Sequence, residues 1–204
     1  MKTVRAIIVL LLSGIILSSC SIRLPEPSSP DAQLNEANLQ LARGQPLVAE
    51  RFFMGAIRSY EKNREPEGLG NAYRDYGVFL RSNAVSQREH TYREAGFLDG
   101  TTTFDTRSER SASYLDRAIA QYNLAAESYH RQGRFDLLSS LYYTQAHTYL
   151  LQHNKAMACA TYDRSRVAYA ESVIRNRDTT PPIPRGHDSF HDAIESAKRQ
   201  AQCQ

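Results

Sequence analysis

Near the C-terminal end the chain gathers His187, Asp188, His191 and Asp192. The two histidines are spaced i, i+4, which seats two imidazoles on one helix face and can hold a metal. His187, however, precedes Ser189, the expected helix cap, and no third ligand lies nearby in sequence. The cluster therefore reads as the polar opening of a surface helix, and no metal is expected. His130, His147 and His153 are scattered through helical stretches. No Ser-His-Asp order, paired catalytic carboxylates or glycine-rich phosphate loop stands out. There is no CxxC and no Cys/His cluster. The expectation is a chain that is not an enzyme and carries no cofactor.

A different chemistry sits at the start. Lys2 and Arg5 precede an apolar run from Ala6 to Leu17, and Leu17-Ser18-Ser19-Cys20 follows. The run is too short for a stable membrane-spanning helix, which needs about 20 apolar residues, and it suits a signal peptide. The four residues ending at Cys20 resemble the lipobox of bacterial lipoproteins. That resemblance implies a diacylglyceryl thioether on Cys20, cleavage after Ser19 and acylation of the new amino terminus. At about 0.8 kcal/mol per buried CH₂, several acyl chains make release from a bilayer negligible. The alternative is an ordinary secretory signal with an incidental cysteine. The next residue is Ser21 rather than Asp, which by the same resemblance implies sorting to the outer membrane, facing the periplasm.

Loss of a 19-residue leader leaves 185 residues, enough for one domain or a short repeat array. The leader holds two basic and no acidic side chains, so the remainder is close to neutral, 23 basic against 22 acidic. Such a balance gives no case for nucleic acid or a polybasic membrane patch, and anchoring falls to the lipid. With Cys20 acylated, Cys159 and Cys203 remain in an oxidising compartment. They can close one loop, stabilising the fold by roughly 3–4 kcal/mol in the chain-entropy model. Otherwise Cys159 is a small buried helix residue and Cys203 a frayed terminal thiol.

The elements that must position these groups read as helices almost throughout. The stretch 20–30 is a proline-containing tether, reaching at most about 3.1 Å per residue. Asp31 is placed as the cap of a first helix that Gly44 ends. Pro46 opens a second, carrying Phe52, Phe53, Ala56, Ile57 and Tyr60 at helical spacing. A third carries Leu69, Tyr73, Tyr76 and Phe79, and a weaker fourth covers about Val85 to Leu98. Asp99 to Arg107 is a long loop. Ser108 or Ser111 should cap the next helix, which Gly133 ends. Helices Phe135 to Gln152 and Lys155 to about Arg175 follow, with a turn at His153-Asn154. A proline-rich linker (177–187) leads to a C-terminal helix (188–204), where Ser189 and Asp192 form a capping box and Phe190, Ile194, Ala197 and Ala201 form one apolar stripe. The fold class is all-α.

Ala146, Tyr149, His153, Ala158, Tyr162 and Ser165 fall at the small, aromatic and turn offsets of a 34-residue helical repeat. Leu69, Gly70, Tyr73 and Gly77 match the first helix and turn; Ala118-Tyr122-Ala125 and Ala56-Tyr60-Asn63 match the second helix. Over about Gln45 to Arg175 the sequence resembles tetratricopeptide-repeat proteins, though it has no tryptophan and no strict register. The resemblance implies antiparallel helix pairs stacked as a short right-handed solenoid over 31–176, with the C-terminal helix docked; an unrelated helical bundle is the alternative. Small residues let paired helices approach, and stacking buries a face that one pair cannot bury alone. By the same resemblance, Arg64, Asn71, Arg74 and Asp75 fall on a concave groove, where Arg and Asn donors can hold a carboxylate; a solvated polar face is the plainer reading. Tyr143, His147, Leu150 and Leu151 fall on the same groove. They either receive a partner segment or lie under the C-terminal helix.

The expected function is a membrane-anchored periplasmic adaptor or assembly factor that binds other envelope proteins, with no nucleic acid partner. Pilotins for pilus or secretion machines and accessory subunits of outer-membrane assembly machines combine these features. A permanent structural subunit of an envelope complex is the alternative, and an envelope hydrolase a more distant one.

Overall fold

The computed structural model describes residues 29–175 and 180–203; the leader, Cys20 and most of the tether lie outside the described residues. The helices are α1 (Pro30–Ala42), α2 (Pro46–Asn63), α3 (Pro66–Leu80), α4 (Asn83–Ser86), α5 (Glu89–Ala95), α6 (Arg107–Arg131), α7 (Phe135–Leu151), α8 (Lys155–Arg175) and α9 (Phe190–Gln200). No strand occurs among the described residues, so the fold is all-α. None of the described helices is long and apolar enough to cross a membrane.

Pro30, Pro46 and Pro66 stand in the first turns of α1, α2 and α3, where a missing N–H costs nothing. The cap of α1 is Ser29, whose hydroxyl accepts from the Ala32 N–H at 3.2 Å. Asp31, expected there, lies in the first turn and takes the hydroxyl of Tyr60 instead. The α6 cap also differs from expectation. The helix begins at Arg107 with no side-chain cap, and Ser111 sits buried one turn in, donating to the Gly77 carbonyl at 2.6 Å. The capping by Ser189 of α9 is as expected: its hydroxyl accepts from the Asp192 N–H at 3.0 Å. Asn154, following the left-handed His153, accepts from Met157 N–H at 3.2 Å and starts α8.

Helix α1 packs mainly on α2, α3 on α6, and α7 on α8; α2 touches α3 and α6 touches α7. Pairs therefore follow one another in chain order, which is compatible with a stacked solenoid. The expected fourth helix is two short ones, α4 and α5. With the following loop they form an insertion between the two helices of the α3/α6 pair, larger than the Asp99–Arg107 loop alone. Gly77, aligned in sequence with a turn, lies inside α3. A Cβ there would stand 3.1 Å from the Ser111 carbonyl oxygen, and one at Gly70 would stand 2.6 Å from the Tyr122 ring. These two glycines allow α6 to lie close on α3. The α7/α8 contact is just as tight: the Ser139 hydroxyl donates to the Ser165 carbonyl at 2.9 Å, and Ser165 reciprocates at 2.8 Å.

One core runs through α1–α8, rich in Phe53, Tyr76, Phe79, Tyr92 and Tyr122. A second joins Ala146, Ala158 and Tyr162 to Phe190, Ile194 and Ala197 of α9. Cys159 of α8 is disulfide-bonded to Cys203, just beyond α9, with Cα atoms 5.5 Å apart across a sequence separation of 44. The bond ties the C-terminal helix to the last pair.

Candidate functional site

One helix from each pair lines a shared surface. Its polar end is a cavity of about 480 Å³ bounded by Asn35 and Asn38 of α1, Asn71, Arg74 and Asp75 of α3, and Thr144 of α7. Its apolar end, about 510 Å³, is bounded by Tyr143, His147, Leu150 and Leu151 of α7. Arg74 and Thr144 line both cavities, so the two are parts of one groove. No residue of α2, α6 or α8 lines either.

The groove brings together Asn71, Arg74, Tyr143 and His147. It does not include Arg64. That residue ends α2 in a left-handed conformation, φ 58°, and its turn borders a separate cavity with Glu61, Pro66, Leu69 and Leu124. A position in the α2–α3 turn cannot share a helix face with Arg74, so the placement of Arg64 on this groove is corrected. Asn71 is also committed: its carbonyl accepts the Tyr122 hydroxyl at 2.9 Å.

Arg74 donates through Nε to Asp75 at 2.8 Å and through its terminal nitrogen at 2.7 Å. The other oxygen of Asp75 accepts from Asn38 at 2.9 Å. Burial opposes the charged guanidinium, but Tyr122 and this ion pair together outweigh it and raise its pKa. His147 Nδ1 lies 2.9 Å from the Tyr143 carbonyl and 3.2 Å from the Tyr162 hydroxyl. Burial holds its pKa below the usual histidine range, and nearby Arg74 pulls in the same direction, so the imidazole is neutral at pH 7. Helix α9 covers one flank of this end: Phe190 lies 5.5 Å from Tyr143, ring to ring. Tyr143 also borders the cavity, so it lies partly beneath the C-terminal helix and partly on the groove.

The histidine–aspartate cluster pairs internally. His187 Nδ1 is 3.0 Å from Asp192, and His191 stacks on Tyr169 at 6.5 Å. Among the described residues no group of three or more His, Cys, Asp or Glu side chains is arranged to hold a metal.

Sequence reading missed the most perturbed carboxyl of the described residues, Glu50. It is 1% exposed and accepts from the Tyr76 hydroxyl at 3.0 Å and the Leu98 N–H at 2.7 Å. Burial lifts its pKa to about 7, against those hydrogen bonds. Next to it Asp99 accepts from Thr102 and Tyr114 at 2.6 and 3.0 Å, and these bonds hold its pKa below the usual range against burial. The signal was available: Glu50 falls on the same face as Phe53, Ile57 and Tyr60. Its hydrogen bonds to Tyr76 of α3 and to Leu98 beyond α5 pin the insertion to the body. No protein family, curated protein or solved structure matches the chain.

Proposed function

We propose that the chain is a non-enzymatic outer-membrane lipoprotein, anchored through Cys20 on the periplasmic face, whose helix pairs form a tetratricopeptide-like solenoid and hold a segment of another envelope protein. The observation that carries this reading is the groove lined by α1, α3 and α7, one helix from each pair, polar at one end and apolar at the other. Concave surfaces of this kind receive peptide or helical segments. The Cys159–Cys203 bond is in keeping with an oxidising compartment.

A second reading, a permanent structural subunit, draws on a different surface. A cavity of about 540 Å³ with a floor of Phe135, Leu138, Val167 and Ala168 shares no lining residue with the groove. Val167 is 60% exposed and Ile174, further along α8, 72%.

Envelope fractionation with crosslinking and affinity purification tests both. Cys20→Ala should release a folded domain into the soluble fraction. In the anchored protein, Arg74→Ala with Leu150→Asp should abolish capture of the partner that the parent retains. Capture undiminished by that pair but lost in Val167→Asp would favour the subunit reading, and a Cys20→Ala protein still bound to membrane would remove the anchor.

A further inference from the structure

We infer that the groove is built for a peptide segment carrying a lysine or arginine beside a large apolar side chain, and against a free carboxyl terminus. The inference rests on the adaptor reading and narrows its partner. Among the described residues Arg74 is the only cation lining the groove, and Asp75 engages it through two of its nitrogens at 2.8 and 2.7 Å. Asp31 also borders the polar cavity, so two carboxylates there face one guanidinium. His147, which burial keeps neutral, adds no charge. Arg81, at the far rim, donates to the Leu151 carbonyl at 3.3 Å from each terminal nitrogen and so offsets the negative end of α7. The polar end is thus net negative, while Asn35 and Asn38 are exposed on α1 with amides suited to main-chain N–H and C=O groups.

A carboxylate placed here meets repulsion from Asp31 and Asp75, and the single guanidinium that would attract it is already paired. A cation meets the reverse. At the other end Tyr143, Leu150 and Leu151 offer contact to one large apolar side chain. An occupant therefore reads cation at the α1 end and apolar side chain at the α7 end. Its carboxyl terminus lies outside the groove.

The test is selection from random-sequence peptides displayed on phage, one library with both ends blocked and one with a free carboxyl terminus, against the full chain and its Leu150→Asp variant. The blocked library should yield sequences pairing Lys or Arg with a large apolar residue. Asp75→Asn and, separately, Asp31→Asn should each weaken the selected peptide about tenfold, the worth of one charge-assisted hydrogen bond at a part-exposed site. Enrichment of acidic or carboxyl-terminal sequences, or affinity unchanged in both variants, would overturn the inference and leave the adaptor reading standing. Absence of any peptide that distinguishes the parent from Leu150→Asp would remove the groove reading and the inference together.

Discussion

Glu50 and Asp75 are both carboxyl groups at contacts between helices, and they stand in opposite surroundings. Glu50 is sealed beneath the insertion, within an aromatic layer in which Tyr92 stacks on Phe97 at 4.3 Å and Tyr76 meets Tyr114 edge-on at 4.8 Å. Its partners are the Tyr76 hydroxyl and the Leu98 backbone N–H, neither of them charged. Deprived of water and of a cation, such a group holds its proton to a higher pH than a solvated carboxyl does. Asp75 borders an open groove with a guanidinium in contact. The same side-chain chemistry thus fastens two elements in one place and presents a field to a visitor in the other. What decides between them is the packing above each carboxyl.

The largest effect should come from truncating the sealed group. Glu50→Ala leaves Leu98 N–H and the Tyr76 hydroxyl without an acceptor and opens a cavity. It should cost on the order of 3–4 kcal/mol in urea or thermal unfolding. A loss below about 1 kcal/mol would mean that water already reaches this site. A finer test replaces the carboxyl by an amide. The folded-state pKa of about 7 exceeds the ordinary value of 4.5, so between these pH values the folded chain holds a proton that the unfolded chain releases. Stability from this group is therefore full below pH 4.5 and falls as pH rises to 7, by about 3 kcal/mol. Glu50→Gln keeps an acceptor oxygen and removes the titration. It should match the parent near pH 4.5 and exceed its stability at pH 8, and parallel curves for the two proteins would dissociate the slope from Glu50.

Much of the helical framework, and part of the groove, was legible in the chain. Apolar spacing of 3.6 residues located the long helices, and Gly44, Gly133 and the His153-Asn154 turn separated them, because these signals are local. The grouping of Arg74 with Tyr143 and His147 was also readable, since α3 and α7 hold equivalent places in successive pairs. Arg64 was misplaced because the alignment carried the helix pattern past the point where the backbone turns left-handed. Gly77 was misread as a turn residue because a glycine at a helix crossing and a glycine in a turn look alike in sequence. The insertion and its anchor were not legible. Glu50 meets Leu98, 48 residues away, and a charged residue on an apolar face declares no partner.

The smallest expected effect lies in the groove itself. Asn38 bonds Asp75 at 2.9 Å across α1 and α3, an exposed contact. Water can replace either group there when the other is removed, so the net worth of the contact is modest. A double-mutant cycle of Asn38→Ala and Asp75→Asn should give a coupling energy below about 1 kcal/mol in unfolding experiments. That low cost is what permits the groove to exchange its internal hydrogen bonds for those of a bound segment. A coupling above about 2 kcal/mol would show the contact to be shielded from solvent, making the polar end a structural joint like the one at Glu50 and closing it to a ligand.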